Sequence, residues 1–365
     1  MKIEVYSPTI RRKEMDAVLT AMVEDQVGPG EHTRFLIHTA KEMLGFDYCL
    51  ALRSPVLALQ LALRALAARH SPAGQADAGG AIAPGDGSDE EEPLKGKTVI
   101  ISALSPLYYD WVLRGLGLVP LYCDVCEDSP LMAGEKIEAL LSYNPLCVIF
   151  HHTLGYPPPA ELIAGLGVPV IEDCSQSAGA AVGEKKAGSF GTFTILGLEE
   201  RDMITAAGGA LLYAAGRRDA AALRALGELP PEYLLSDVNA AMAAVQFREE
   251  AKNLARRREI VQAYTQASLQ TRHKRFRETE GLEYNNYAFS LILESGVKDV
   301  KAYAKRKEIV VEEAFETTLT GSGLLPSAQC PCAYSLSLRT VLFPLYPRLG
   351  ASSAARVAKL IMSLP

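Results

Sequence analysis

Residues 146–174 read LCVIFHHTLGYPPPAELIAGLGVPVIEDC. Two short, unbroken apolar runs, LCVIF and PVIED, flank a segment with helical spacing, AELIAGLG. An apolar run without alternation predicts a strand buried on both faces, and two such strands joined by a helix predict parallel neighbours. The same rhythm extends along the chain from about Ala51 to Ala214. YCLAL precedes the amphipathic SPVLALQLALRALAAR, TVIIS precedes PLYYDWVLRGLG, and VPLYCDV precedes EKIEALLSY. This predicts an α/β fold with a mostly parallel central sheet covered by helices in three layers. Ligands of such sheets gather beyond the carboxyl ends of the strands, which puts Ser54, Pro106, His152 and Asp173 around one cleft.

The chain has 365 residues and a formal net charge of −6, so it carries no basic footprint for nucleic acid or acidic membranes. No apolar run reaches spanning length, and MKIEVYSPTIRRKEMDAV lacks the apolar core of a signal peptide, so a cytoplasmic location is expected. Seven cysteines, an odd number, suit reduced thiols better than a disulfide framework. Cys123 and Cys126 (CDVC) have metal or redox spacing without a second pair or nearby histidine, and CPC at Cys330 and Cys332 reads as an isolated loop. No metal site is expected.

Residues 71–96, rich in Gly, Ala, Pro and acid, read as a flexible surface insertion within a first domain spanning 1–214. The character changes after Ala214. SDVNAAMAAVQFREEAKNLARRREIVQAYTQA predicts one long helix from a Ser236 cap. The strand-like runs YAFSLIL and EIVVEEAF follow, then a closing helix in SSAARVAKLIMSL. Residues 215–365 are thus expected to form a linking helix and a smaller α+β domain.

VIEDCSQSAGA, followed by GEKKAGSFG, resembles the sugar aminotransferases of the DegT/DnrJ/StrS type, fold type I enzymes that use pyridoxal phosphate. The similarity continues in YSPTIRRKEMDAVLTAM, LALQLALRAL, LGLVPLYCDV, AAGGALL, YLLSDVNAAMAAVQF and FPLYPRLG, so it runs nearly end to end. The resemblance implies a lysine that holds the cofactor covalently, an aspartate paired with the pyridinium nitrogen, donors for the phosphate at a helix start, and an aromatic ring stacked on the pyridine. It also implies a homodimer with an active site shared across the two-fold axis.

Asp173 stands at the family's pyridinium-binding aspartate and Gln176 at its neighbouring ring-holding position. His152 matches a cleft histidine. The lysine position, seven residues before Gly208, holds Arg201, and no lysine occurs between Lys186 and Lys252. Arginine stays protonated and forms no Schiff base. In the phosphate site Ser54 is kept, but Pro55 and Val56 replace a Gly-Thr pair, Leu196 replaces a serine, and Glu232 replaces the asparagine that crosses from the second subunit. Pro106 replaces the stacking aromatic, with Tyr108 or Tyr109 as substitutes. A Ser54-His152-Asp173 hydrolase reading has no nucleophile elbow to support it.

Two functions follow as expectations. The first is a non-catalytic family member without cofactor, its cleft empty or reused for a small-molecule or sugar-nucleotide ligand. The second is an enzyme of nucleotide-sugar or amino-sugar metabolism that uses pyridoxal or pyridoxamine phosphate without a covalent lysine link. A regulatory partner of an active paralogue is a third reading.

Overall fold

The structure is a computed structural model describing residues 2–69 and 94–365. Of the expected 71–96 insertion, all but 94–96 lies outside the described residues. Seven strands form the central sheet: β1 (Tyr48–Leu52), β2 (Thr98–Ser102), β3 (Val119–Cys123), β4 (Cys147–His151), β5 (Val170–Asp173), β6 (Phe193–Gly197) and β7 (Ala210–Ala214). Their spatial order is β1-β7-β6-β5-β4-β2-β3. The run from β3 to β6 is parallel, whereas β7 is antiparallel to both of its neighbours. That single reversal leaves β1 parallel to the rest, so the carboxyl ends of β1, β2, β4, β5 and β6 share one edge.

Every residue of β4 and β5 is buried, which explains why their sequences lack polar alternation. The pleat still sorts them. Ile101, Ile149 and Ile171 enter one core layer with helix Pro55–Arg69, while Ile100, Val148 and Val170 enter the other with helix Gly134–Leu141.

The segment expected as one long helix is two, Asp237–Arg248 and Glu250–Ser268, with Glu249 between them at φ −89° and ψ 0°. The Ser236 cap is present, its hydroxyl accepting from the Asn239 amide at 3.3 Å. The break has a packing cause. The first helix lies against Arg12–Val23 and Glu31–Leu44, the second against Ala351–Met362, and one straight rod would not serve both. Asp237 also fixes the start of Glu31–Leu44, accepting from the amides of Gly30 (2.8 Å), His32 (3.1 Å) and Thr33 (2.8 Å).

Packing crosses the boundary expected at residue 214. Ala220, Leu223 and Leu226 join the core of the central sheet, and Ala240, Ala243 and Phe247 pack with Leu196 and Leu211. In the other direction, Ile3 pairs with Ile309 and enters the C-terminal core. That core covers a sheet ordered Phe289–Ile292, Thr340–Phe343, Glu312–Glu313. EIVVEEAF supplies it with two strand residues only, Glu312 and Glu313, while Ile309 bridges Ile3 and, with Val311, joins the core.

One stretch returns from the C-terminal part to the central sheet. Leu319 donates its amide to Ser105 O (3.0 Å), Thr320 donates its amide and hydroxyl to Ala103 O (3.1 and 2.8 Å), and Thr318 bridges Pro106. Among the described residues no helix is long and apolar enough to cross a membrane.

Candidate functional site

Asp173 ends β5 at the cleft edge and is 1% exposed. Its Oδ2 accepts from the hydroxyls of Tyr109 (2.6 Å) and Tyr108 (3.2 Å). Its Oδ1 accepts from the Ser175 amide (3.0 Å) and hydroxyl (2.5 Å). An ionised carboxylate offers about four lone-pair positions, and here four donors take them. Burial and the Asp173 charge hold both phenols well above their ordinary pKa, so they stay protonated and donating. The tyrosines expected as stacking substitutes therefore act through their hydroxyls on the aspartate. Pro106 caps the helix Leu107–Gly115 that carries them.

Arg201 follows β6, with its side chain 58% exposed and directed to the C-terminal part. Nη1 donates to Glu312 at 2.8 Å and Nη2 at 3.4 Å, and the guanidinium lies 5.8 Å from the Tyr6 ring centre. The next residue takes the inward position. Asp202 Oδ2 accepts from the Glu199 amide at 2.9 Å and lies directly over Gly197, where a Cβ would come within 2.2 Å of it. Burial raises the Asp202 pKa to about 8, against the Glu199 amide bond and with help from the Asp173 charge.

The expected phosphate cup is a closed helix start. Ser54 Oγ accepts from the Leu57 amide at 3.2 Å, and Pro55 has no N–H to offer. Leu196 is buried in the core, and Glu232 is exposed in the turn Pro231–Tyr233. Gln176 turns to the loop after β4, its Oε1 accepting from the Leu154 amide at 2.7 Å.

The histidine placed at the cleft by sequence lies elsewhere. His151 is the residue in register with Asp173, so alternation sends His152 to the opposite layer. There His152 Nδ1 meets Ser177 Oγ at 2.7 Å, and Nε2 stands 3.5 Å from Glu172 Oε2. Burial opposes ionisation of Glu172, but His152 and the amides of Gly191 and Phe190 outweigh it and lower its pKa. The ligand atoms of His152, Glu172 and Cys174 come within 4.8 Å of one another. Glu172 already accepts from three amides, and burial keeps the Cys174 thiol protonated. The Ser54-His152-Asp173 triad is not assembled.

The two cysteine motifs, each isolated in sequence, meet. Asp124 of CDVC accepts from the amides of Cys332 (3.0 Å) and Ala333 (2.8 Å), fixing the start of helix Pro331–Arg339. All seven thiols are free. Sequence reasoning missed Ser175 and Asp202. Of these, Ser175 had a local signal, a hydroxyl two residues beyond a strand-end aspartate.

The sheet order, the single reversed strand and an aspartate closing β5 define a fold type I aminotransferase-like protein. The fold is similar to that of the sugar aminotransferase-type protein Spr1654 of Streptococcus pneumoniae in its apo form (TM-score 0.85, 15% identity, covering 100% of this chain and 97% of that one). That protein has also been solved in PLP and PMP forms. The aminotransferase TlmJ of Streptoalloteichus hindustanus is similar too (TM-score 0.83, 19% identity, 99% and 98% covered). The chain belongs to the DegT/DnrJ/EryC1/StrS aminotransferase family, whose profile matches residues 8–362. It is 25% identical over 190 residues to the L-glutamine:2-deoxy-scyllo-inosose aminotransferase of Streptomyces fradiae, a match spanning 51% of this chain and 39% of that enzyme.

Proposed function

We propose that this chain is a non-catalytic member of its family, keeping the fold and a homodimer while its cleft no longer serves pyridoxal phosphate. One observation carries the reading: the carboxylate that would receive the pyridinium nitrogen is saturated by Tyr108, Tyr109 and Ser175. A ring nitrogen would have to displace one of these donors in a buried site. Pro55 and the Leu57–Ser54 bond remove phosphate donors, and Arg201 offers no nucleophilic amine at neutral pH. The residues present do not fit the cofactor.

The test is an absorbance spectrum of the purified chain with and without added pyridoxal phosphate, followed by borohydride reduction and intact mass. No specific adduct is expected. A stoichiometric reducible adduct would end this reading. Light scattering is expected to give twice the chain mass.

Retention of Asp173 at the end of β5 favours one alternative, an enzyme of amino-sugar metabolism holding pyridoxamine phosphate without a covalent link. It requires tight binding of that cofactor that Asp173→Ala abolishes. Equal, weak binding by both proteins removes it.

A further inference from the structure

Arg257, in helix Glu250–Ser268, is 5% exposed, and the ionisable groups acting on it are Tyr287 and Tyr6 rather than a carboxylate. Its Nη1 donates to the carbonyls of Tyr287 (2.8 Å), Leu345 (3.2 Å) and Asn286 (3.3 Å). Nε and Nη2 make no hydrogen bond among the described residues. Burial lowers its pKa to about 10, so the group is a buried cation at neutral pH with half of its donor fork unused. A buried charge without a counter-charge is costly, and an arriving anion relieves that cost.

The Arg257 side chain lines a cavity of about 40 Å³ together with Tyr6, Arg201, Tyr287, Phe343 and Leu345. The Tyr287 hydroxyl, like the free edge of Arg257, has no partner among the described residues. A single water needs roughly 10–15 Å³ of such space, so the cavity suits a planar group of three heavy atoms better than a tetrahedral phosphate. Phe343 and Leu345 add apolar side chains to the lining. Arg201 stands at the rim, with Glu312 as its ion-pair partner and the Tyr6 ring beside it.

We infer that this cavity binds the carboxylate of a small organic acid, held by the free edge of Arg257 and the Tyr287 hydroxyl, with Arg201 adding positive charge at the rim. The inference rests on the reading that the cleft is released from the cofactor, because Arg201 occupies the position that reading depends on. An arginine fork matches a carboxylate through paired donors, whereas chloride gains only the charge.

The experiment is an NMR titration of ¹³C-labelled acetate into the full chain at fixed ionic strength, without pyridoxal phosphate. Saturable binding at one site is expected, competed by formate and not by equimolar chloride or phosphate. Tyr287→Phe, which keeps the ring, is expected to weaken binding about tenfold, as loss of one hydrogen bond to a charged acceptor does. Arg201→Gln is expected to weaken it several-fold; each variant's fold is checked by circular dichroism. Absence of saturation, equal competition by chloride, or wild-type affinity in either variant overturns the site. Failure with acetate leaves the proposed function standing. A stoichiometric reducible pyridoxal adduct would sink that function, and this inference with it.

Discussion

Glu172 and Asp173 are neighbours on β5, and their carboxylates face opposite layers of the molecule. Glu172 is held by backbone: the amides of Gly188 (3.0 Å), Phe190 (2.8 Å) and Gly191 (2.5 Å) donate to it. Asp173 is held mainly by side chains, with hydroxyls from Tyr108, Tyr109 and Ser175 joining one amide. The first carboxylate organises a loop whose shape the fold needs. Gly188 in that loop has φ +89°, and a Cβ there would lie 2.7 Å from the Tyr213 hydroxyl. The second carboxylate is surrounded by groups that substitution can change without altering the backbone. A scaffold and its site can therefore diverge independently across the thickness of one strand.

The contrast predicts a ranking. Glu172→Ala leaves three amides without an acceptor inside the protein, each costing about 1–3 kcal/mol. It is expected to lower stability by about 3 kcal/mol or more in urea denaturation. A loss under about 1 kcal/mol would erase the difference between the two faces. Asp173→Ala is expected to cost less, about 2 kcal/mol, because the half-buried Tyr108 can reach water. Equal losses for the two variants would show that the cleft carboxylate is as structural as its neighbour.

Asp202 sharpens the comparison through pH. Its carboxyl binds a proton in the folded chain up to about pH 8, while the unfolded chain releases it near the ordinary 3.8. The folded state then holds more protons between these values, so this group's contribution falls as pH rises from about 4 to about 8. Asp202→Asn is expected to flatten the melting temperature across that window and to raise it at pH 8. An unchanged slope would place the Asp202 carboxylate in water. Tyr109→Phe removes one donor from Asp173 and should cost about 1 kcal/mol by chemical denaturation.

The smallest effect on stability belongs to Arg201→Lys. An exposed ion pair such as Arg201–Glu312 contributes about 0–1 kcal/mol, so the melting temperature should barely move. With Asp173 still saturated, this variant is expected to give no stoichiometric reducible adduct with pyridoxal phosphate. An adduct at one per chain would show that the tyrosines yield easily and that a single residue separates the two states of the cleft.

Much of the fold was legible because buried parallel strands write themselves as unbroken apolar runs. YCLAL, TVIIS and VIED occupy their expected places. The break at Glu249 was not legible, since a helical period continues through it and only the diverging packing partners cause it. In the site, the placing of Arg201 and Pro55 at the lysine and phosphate positions comes from the family resemblance and stays part of the proposed reading. The exchange of His152 for His151 was not legible, because register against β5 decides which of two adjacent histidines faces Asp173. Asp202, Arg257 and Tyr287 were equally hidden; Arg257 and Tyr287, for one pair, meet only when distant segments pack.

The stretch 318–320 has a mechanical consequence. By donating to Ser105 and Ala103 it sews the C-terminal part onto the mouth of β2 with two main-chain bonds and the Thr320 hydroxyl. Any swing of the two parts about the cleft must break that seam, so ligand exchange should proceed by side-chain movement in a fixed frame. The amides of Leu319 and Thr320 would then exchange with solvent deuterium as slowly as those inside the sheet, with or without a ligand bound.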